Sequence, residues 1–583
     1  MPIIADKMSA FHTTARNYFV PGTDFPVERA GASVCAGGKP PFVHRDPRRR
    51  ARYLDGVYDD VARLLGAVDR NSFRPTYGCF DRQYWHYRTA CFPSEMYQEG
   101  VLPLALVYAC DLPGNRWHGC QRIRELALAG MRFSARSCHR DGSCDDYYPF
   151  ERALGAAVFS LQAAAKAYQL LDVDDPELRS WFELRARWLI ENEESGRLTN
   201  HHALAALGLW RVAEILDNET FRRAALERVD QVLAWQNEEG WFDEYGGADP
   251  GYQTVTIDCL AKLRRATGDP RLDEPIRRAA AFSRHFLHPD ASYAGEYGSR
   301  GTSHFYPHGF EMLAGQLTEA ADLADGFLEA VQRGTLAHFD DDRLFAHCLG
   351  NRIEAYLDWT PTRPAAVDPT ERITKHFPNA GLFVYRDGRR HSIVSTVRGG
   401  IVKHFQNGRC WTDAGLVVET RDGTVCVSQM HDRDRVVDVK AEPDGTTRIT
   451  VSGPLHTTRF ETATPVKQSV LHTGMWAAGR WCRTAVRKLL QRRLITGRRR
   501  FPIRLIRTIE LRPAAPTVRI TDELELTGPA VHVQRMAVGT DHQAAYVAAC
   551  GVYQDSVLQP WTDLQEYVAR LNQERRVVVV REL

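Results

Sequence analysis

One pattern recurs between residues 97 and 357: Ala- and Leu-rich stretches of about 12–20 residues, with apolar side chains three and four positions apart. Gly, Pro, Asn and Asp fill the breaks, as is typical of helix ends. The pattern predicts helices near 97–110, 119–136, 151–171, 177–192, 201–216, 219–236, 251–266, 272–287, 307–324, 326–337 and 341–357. Because no repeat of fixed length is visible, a closed or partly closed ring of antiparallel helical hairpins is favoured over a solenoid.

The pattern changes at the Pro-rich stretch Thr360–Pro364. Beyond it, short alternating runs separated by Asp-Gly turns predict the antiparallel strands of a sandwich. At 583 residues the chain is also too long for one ordinary core. We therefore expect an extended N-terminal arm at 1–50, a helical domain at 51–360, an antiparallel β-sandwich domain at 365–545, and a C-terminal tail at 546–583 that packs on the β domain.

Charge and composition argue against several classes of protein. The formal net charge is only +2, from 75 basic and 73 acidic side chains, which does not fit a general nucleic-acid-binding protein. No window reaches the ~18 uninterrupted apolar residues of a membrane span. Met1–Ala30 lacks the basic start and apolar run of a secretory signal, so we expect a cytoplasmic protein. The 13 scattered cysteines, including Cys138 and Cys144 around His139, fit reduced thiols better than a metal site.

A basic stretch interrupts the β region. Residues 462–509 contain many Arg and no Asp or Glu, and Arg480–Arg493 has the pattern of a short amphipathic helix. Such a helix fits a dock for a polyanion or a membrane surface. The other interpretation, which is the ordinary one for such a stretch, is a solvated strand connection whose arginines pair with acidic residues elsewhere. The sequence leaves both interpretations open.

Candidate chemistry begins at Asn200-His201-His202, directly before an apolar helical run. Asn200 occupies an N-cap position, which is a sufficient structural role by itself. The helix dipole favours the neutral imidazole that a general base requires. Tyr252 starts another apolar run, where packing is the ordinary role of a tyrosine. The function of each residue therefore depends on what lies near it.

A polar loop in the helical half carries Glu296, Tyr297 and Arg300, and His304 follows it. Glycines near Arg300 indicate close backbone approach, and arginine is a natural clamp for a carboxylate, although a structural salt bridge is the alternative. Arg88, at the end of an aromatic-rich loop, is a further candidate.

Two other motifs carry chemistry. His404 lies in a predicted strand, where a histidine is more often packed than catalytic. Asp145 and Asp146 could serve as paired carboxylates for glycoside hydrolysis, although adjacent acids on a loop usually point apart.

Together these motifs resemble the heparinase II/III-like polysaccharide lyases and their alginate-lyase relatives. Asn200-His201 matches the Asn-His pair that opens an inner helix in that group, and Tyr252 follows where the family carries its catalytic Tyr. Lys403-His404 through Asp413-Ala414-Gly415 resembles the start of the family's β domain. The resemblance spans about residues 80–530 and implies an incomplete (α/α)6-type helical toroid followed by an antiparallel β-sandwich.

The resemblance also implies a lyase that cleaves a 4-linked uronic acid by β-elimination. Asn200 and Arg300 would neutralise the carboxylate, so that charge can spread from C5. His201, His404 or Tyr252 would remove the C5 proton, and Tyr252 would protonate the leaving O4 oxygen. His201 is preferred over His202 because it directly follows the Asn. The remaining expected substrate contacts are Glu296, Tyr297, His304, His202 and Arg88.

The expected partner is an acidic poly- or oligosaccharide, and the reaction requires no cofactor. Gln406 stands where the family often has a second His, which argues against a structural divalent metal in the β domain. A uronyl C5-epimerase would use the same residues, and a non-catalytic acidic-glycan-binding protein would keep the same scaffold. The oligomeric state is not indicated by the sequence.

Overall fold

The structure, a computed structural model, describes residues 42–194, 196–339, 342–368, 371–458, 462–491, 499–513, 515–541 and 550–583. Its longer helices are α1 (Val57–Ala67), α2 (Val101–Ala109), α3 (Gln121–Ser137), α4 (Leu154–Leu170), α5 (Pro176–Glu191), α6 (Thr199–Leu216), α7 (Glu219–Ala234), α8 (Pro250–Thr267), α9 (Asp273–Arg284), α10 (His308–Leu313), α11 (Thr318–Arg333), α12 (Asp342–Asp358), α13 (Pro465–Gln491) and α14 (Val568–Glu574). Single helical turns and 3-10 helices lie at Pro47–Leu54, Arg82–Trp85, Glu95–Gly100, Pro270–Leu272 and Gln565–Tyr567.

The strands are β1 (Phe42–His44), β2 (His338–Phe339), β3 (Thr362–Pro364), β4 (Ile373–Phe377), β5 (Leu382–Arg386), β6 (Arg390–Ser395), β7 (Ile401–Gln406), β8 (Arg409–Asp413), β9 (Leu416–Thr420), β10 (Val425–Val427), β11 (Val436–Ala441), β12 (Thr447–Thr457), β13 (Arg499–Leu511), β14 (Val518–Leu526), β15 (Val533–Val538), β16 (Cys550–Gly551), β17 (Thr562–Asp563) and β18 (Arg576–Glu582).

The first twelve helices form two concentric layers. Within the described part of the chain, the inner helices α2, α4, α6, α8, α10 and α12 contact one another in order, and α12 contacts α2. The Ala-rich inner helix α4 is buried on nearly every face, whereas the outer helix α9 buries one apolar stripe among charged residues. The predicted helical toroid is confirmed. Beside α12, the outer layer consists of α1 and the 3-10 helix Pro47–Leu54.

Two helix predictions are wrong in their bounds. The structure has the short α10 (His308–Leu313) and then α11 (Thr318–Arg333) where helices were predicted at 307–324 and 326–337. α10 ends early, at Leu313, and the extended segment at 301–307 that precedes it runs beside the start of α8. Gly251 permits this approach, since a Cβ there would lie 2.7 Å from the Thr302 carbonyl oxygen.

The β domain consists of two antiparallel sheets in the described residues, as predicted for a sandwich. The smaller sheet has the order β4-β5-β6-β7-β8, and the larger has the order β17-β15-β9-β10-β12-β13-β14-β18, with β11 beside β12. One face of the smaller sheet, including Phe383 and Val402, packs on the larger sheet. The opposite face, including Val384 and Ile401, joins the core of the helical domain. Side-chain alternation along each strand therefore decides which domain a residue faces.

Both ends of the described chain belong to these domains. β1 pairs with β3, and Tyr53 in the following 3-10 helix is fully buried, so residues 42–50 do not form an extended arm. Residues 1–41 lie outside the described part. At the other end, β18 pairs with β14 and is an integral strand of the larger sheet.

The basic stretch contains a longer helix than expected. α13 covers Pro465–Gln491, and the last part of the predicted helix, at 492–493, lies outside the described residues. Thr457 pairs with Arg499, so β12 and β13 remain adjacent on either side of this excursion. No helix in the described ranges is long and apolar enough to cross a membrane.

Candidate active site

Asn200 is not the N-cap of its helix. α6 begins at Thr199 after the N-cap residue Leu198, and the Asn200 side chain bonds to a loop carboxyl instead of to its own helix. Its backbone N–H and its Nδ2 both donate to Glu244 Oε1, at 2.9 Å each. Burial raises the pKa of Glu244 to about 8, although the hydrogen bonds from Asn200 act in the opposite direction. A largely protonated loop carboxyl therefore orients the amide at neutral pH.

The two histidines that follow point in different directions, because successive helical residues are about 100° apart. His201 Nδ1 lies 3.0 Å from Glu194 Oε2, and its ring edge meets Phe159. His202 instead contacts Gln231 and Trp235 at the outer layer. Burial, with the charge of Arg228, lowers the pKa of His202 to about 4. His201 is the imidazole of the candidate site, and the predicted substrate contact of His202 is wrong.

A small residue on the neighbouring inner helix determines where the His201 ring lies. A Cβ on Gly155 would be 2.8 Å from His201 Cε1, so the ring rests directly on the α4 backbone. With Nδ1 facing the Glu194 carboxylate, the tautomer with the lone pair on Nε2 is favoured. This is the form that a general base requires.

Glu194 joins His201 to the β domain. Its side chain is fully buried, and its second oxygen accepts from Arg487 Nη2 of α13 at 2.6 Å. The Glu194 and Glu151 carboxylates raise the pKa of Arg487 against the effect of its burial. An arginine of the basic stretch thus pairs with acids of the helical domain. This agrees with the interpretation of the stretch as a strand connection whose arginines pair with acidic residues elsewhere.

Asp249 brings Tyr252 and Arg300 together. One of its oxygens accepts from the Tyr252 backbone N–H at 3.0 Å and caps α8. The other accepts from the Arg300 backbone N–H at 2.8 Å. The Arg300 guanidinium lies 4.5 Å from the ring centre of Tyr245, the residue after Glu244. Asn200, Tyr252 and Arg300 therefore belong to one connected cluster, joined through two loop acids.

Aromatic rings connect Tyr252 with His201 around the inner layer. Tyr252 packs edge-on against His304, with ring centres 4.8 Å apart, and His304 adjoins Tyr306. The row continues through His347 and Phe159 to His201, with successive ring centres 4.9, 5.3 and 5.7 Å apart. His347 Nδ1 lies 2.8 Å from Glu99 Oε1. His304 is therefore beside Tyr252, where a substrate contact would require it.

The other two residues of the polar loop lie away from the cluster. Tyr297 is 1% exposed and its hydroxyl lies 2.9 Å from His288 Nε2, so it is a core residue and its predicted substrate contact is wrong. Glu296 pairs with Lys403 Nζ at 3.0 Å. Glu296 thus links the helical domain to β7.

His404 is the clearest error in the predicted site. Lys403 faces the helical domain, so His404 points to the opposite side of β7, between the two sheets. There it is fully buried, its Nδ1 is 2.8 Å from Ser392 Oγ, and burial lowers its pKa to about 4. The expectation that it lies beside Asn200 and Tyr252 is therefore wrong.

Two other residues of the β domain lie near the cluster. Arg398 is buried and donates to the Gly298 and Ser299 carbonyl oxygens, at 2.6 and 3.1 Å, which supports the loop before Arg300. His431, in the loop after β10, lies beside Gly247, where a Cβ would be 2.8 Å from its Nε2. His431 is therefore an imidazole of the β domain beside the loop that carries Glu244 and Tyr245.

Arg88 and the Asp145-Asp146 pair are separate from this cluster. Arg88 is exposed, and no contact among the described residues connects it with Asn200 or Tyr252. Asp145 accepts from His139 and from the Phe150 and Arg152 backbone N–H groups. Asp146 accepts from Ser94 and Arg343. These carboxylates organise a loop, which argues against a hydrolase that uses them as an acid–base pair.

A cavity of about 440 Å³ lies between that loop and α13. Its lining includes Asp145, Phe150, His472 and Trp476, but none of the cluster residues. In the described residues, no group of three or more His, Cys, Asp or Glu side chains is arranged to hold a metal ion.

Several residues of the site were missed from the sequence: Glu194, Glu244, Tyr245, His347, His431 and Arg487. One signal was present. The tripeptide Glu244-Tyr245-Gly246 repeats the Glu-Tyr-Gly of the Arg300 loop. The others lie at unremarkable positions in loops or helices.

The sequence matches no family model and no curated protein sequence. Among solved structures, the chain is similar to the Streptomyces coelicolor A3 chondroitin AC lyase in complex with chondroitin sulphate, with 11% identity over 91% of this chain and 75% of that chain, and a TM-score of 0.49. It is similar to a heparan sulfate lyase mutant from Pedobacter heparinus, with 12% identity, the same coverages and a TM-score of 0.41. It is also similar to an unsaturated glucuronyl hydrolase mutant from Streptococcus agalactiae, with 9% identity over 55% of this chain and 94% of that chain, and a TM-score of 0.36. These similarities concern the arrangement of helices and sheets.

Proposed function

We propose that this protein is a poly- or oligosaccharide lyase that cleaves a 4-linked uronic acid by β-elimination. The observation that carries the proposal is the connected cluster of Asn200, Arg300 and Tyr252, with His201 directly after Asn200 in the first turn of α6. It combines donors for a carboxylate, a proton acceptor and a proton donor. These are the groups that the reaction requires.

The first step is neutralisation of the uronate carboxylate. The C5 proton is very weakly acidic until the adjacent carboxylate is neutralised, because charge must spread into an enolate-like species. Arg300 supplies a buried cation and Asn200 an amide oriented by Glu244. Fixed donors in a site with little water lower the barrier more than mobile solvent does.

The proton transfers use His201 and Tyr252. His201 Nε2 removes the C5 proton, and the Glu194 carboxylate stabilises the resulting imidazolium through Nδ1. The electron pair forms the C4–C5 double bond while the C4–O4 bond breaks. Tyr252 gives its hydroxyl proton to O4 and recovers a proton through solvent from His201. The reaction consumes no cofactor.

Uronate polymers and their oligosaccharides, including chondroitin, heparan sulfate and alginate, provide the test. Rising ultraviolet absorbance from the 4,5-unsaturated product would support elimination. Incorporation of solvent deuterium at C5 without that absorbance would instead identify a C5-epimerase. Binding without turnover or exchange on any of these glycans would favour a glycan-binding protein.

Variants make the test specific. Tyr252→Phe and His201→Gln should each reduce kcat at least about 100-fold, which is the usual contribution of a positioned acid or base. Tyr58→Phe removes one tyrosine hydroxyl from the outer layer, where it donates to the Pro113 carbonyl oxygen, and should leave kcat unchanged. Full activity of both site variants would contradict the assigned roles.

A further inference from the structure

α13 is an addition to the β domain that the sheet does not need. β12 and β13 pair directly up to Thr457 and Arg499, and α13 lies in the stretch of chain between these two residues. The 27-residue helix is about 40 Å long, at 1.5 Å per residue. It lies on the helical domain beside His201, through the Arg487–Glu194 ion pair.

The helix has two different long faces. Leu471, Met475, Cys482 and Val486 follow one face at helical spacing and are partly or fully buried. Met475 is only 2% exposed. On the same side, a Cβ at Gly479 would lie 3.6 Å from Phe150 of the helical domain. This inner face explains how α13 is attached.

The outer face is apolar although it is exposed. Val466, Val470 and Trp481 lie on it at helical spacing, with exposures of 73%, 68% and 71%. Trp476 is 72% exposed but lines the cavity beside Phe150, and Leu489, 58% exposed, follows Leu471 by five helical turns and so lies on the inner side. Isolated exposed apolar residues are common, but several on one helix mark a contact surface.

The charge of the same helix is of one sign. Its sequence carries Lys467, Arg480, Arg483, Arg487 and Lys488 and contains no Asp or Glu. The absence of acidic residues extends over the whole stretch 462–509. Exposed tryptophan and valine between basic residues are typical of helices that lie in the interface of an anionic bilayer.

We propose that α13 is a membrane-surface helix that docks this protein on anionic lipid. The aliphatic side chains Val466 and Val470 favour lipid over a soluble anionic glycan, because a glycan would leave them in water. The basic residues fit phosphate headgroups, and tryptophan is suited to the headgroup region. Docking on this face would leave α13 between the lipid and the helical domain. The proposal does not depend on the proposed lyase activity.

The test is flotation of the full chain with vesicles of phosphatidylcholine alone and of equimolar phosphatidylcholine and phosphatidylglycerol. We expect binding to the anionic vesicles, weakened by salt, and little binding to the neutral ones. Val470→Ser with Trp481→Ser should reduce the bound fraction at least about tenfold, since both side chains would return to water. Lys467→Glu with Lys488→Glu should do the same through charge.

Phe73→Ser is the matched control, because Phe73 is 97% exposed but lies in the helical domain. This variant should bind vesicles as the unchanged protein does. Failure of the unchanged chain to float with anionic vesicles would overturn the proposal, and so would equal binding by the Val470/Trp481 variant. If the unchanged chain does not bind vesicles, but binds a soluble polyanion and the Val470/Trp481 variant does not, the face binds the polyanion instead. If the unchanged chain does not bind vesicles, but self-associates and the variant does not, the face is an interface between copies of this chain. Circular dichroism and urea unfolding show separately whether each variant is folded.

Discussion

The carboxyl that orients Asn200 should make the stability of this protein depend on pH. Glu244 is 1% exposed, and its pKa is raised by burial from 4.5 to about 8. A group whose folded pKa is raised stabilises the fold fully below its unfolded pKa, and this contribution is lost as pH rises toward the folded value. Glu244→Gln keeps an oxygen that can accept from Asn200 but does not titrate.

The size of the effect follows from the shift. Each pKa unit corresponds to about 1.4 kcal/mol, so the full effect is at most about 5 kcal/mol. Between about pH 5 and pH 8, the free energy of unfolding of the unchanged protein should fall by about 3 kcal/mol relative to Glu244→Gln. Within the described residues Glu244 Oε2 has no hydrogen-bond partner, so the added amide protons of Gln carry a cost that is independent of pH. The change with pH is therefore the decisive measurement, and the absolute stability is not.

Urea unfolding at a series of pH values, followed by tryptophan fluorescence, measures the difference from the midpoints and slopes. Glu177→Gln, on the exposed start of α5, is the control. Its free energy of unfolding should change with pH in the same way as that of the unchanged protein. If the curves of Glu244→Gln and the unchanged protein are also parallel from about pH 5 to pH 8, Glu244 is not the protonated group described above.

Three further predictions use matched pairs of variants. Gly155→Ala should displace His201 and lower kcat about tenfold or more, whereas Gly208→Ala, whose Cβ would meet no atom closer than 3.6 Å, should not. Glu194→Ala should lower kcat at least about 100-fold by releasing His201, while Ala at the neighbouring exposed Glu193 should have little effect on turnover. Arg507→Met should lower the unfolding free energy by about 3–5 kcal/mol, because the buried Asp413 and Asp522 would share the single remaining cation of Arg581. Arg504→Met, at an exposed position of the same strand, should change it by less than about 1 kcal/mol, as urea unfolding would show.

The order of helices and strands could be predicted from the sequence because apolar residues recur at different spacings in the two halves. They recur every three to four positions in the helical half and every two positions in the β half. Ala-rich inner helices and alternating strands both follow from that repetition. The length of α10 did not follow, since the apolar pattern at 307–324 continues through the turn between α10 and α11. The extended segment before α10 depends on the contact between Gly251 and Thr302, which are distant in sequence.

The site was predictable only where position on an element determines direction. Asn200 and Tyr252 lie in the first turns of adjacent inner helices, so their proximity follows from the ring. To place His404, the prediction needed to know which alternate residues of β7 face the helical domain. A shift of one residue exchanges the two faces of a strand. Lys403 faces the helical domain and His404 does not, which no local pattern specified.

The two Glu-Tyr-Gly loops show why a motif can identify a site without assigning its residues. In the first loop, Glu244 faces inward to Asn200, and Tyr245, with a φ of 56°, turns toward Arg300. In the second, Glu296 pairs with Lys403 and Tyr297 enters the core. The same tripeptide thus places its tyrosine beside the candidate substrate groups in one loop and away from them in the other. Backbone conformation and the surrounding charges determine which way each tyrosine points. We therefore expect Tyr245→Phe to change kcat/KM for a uronate substrate, and Tyr297→Phe to leave it unchanged.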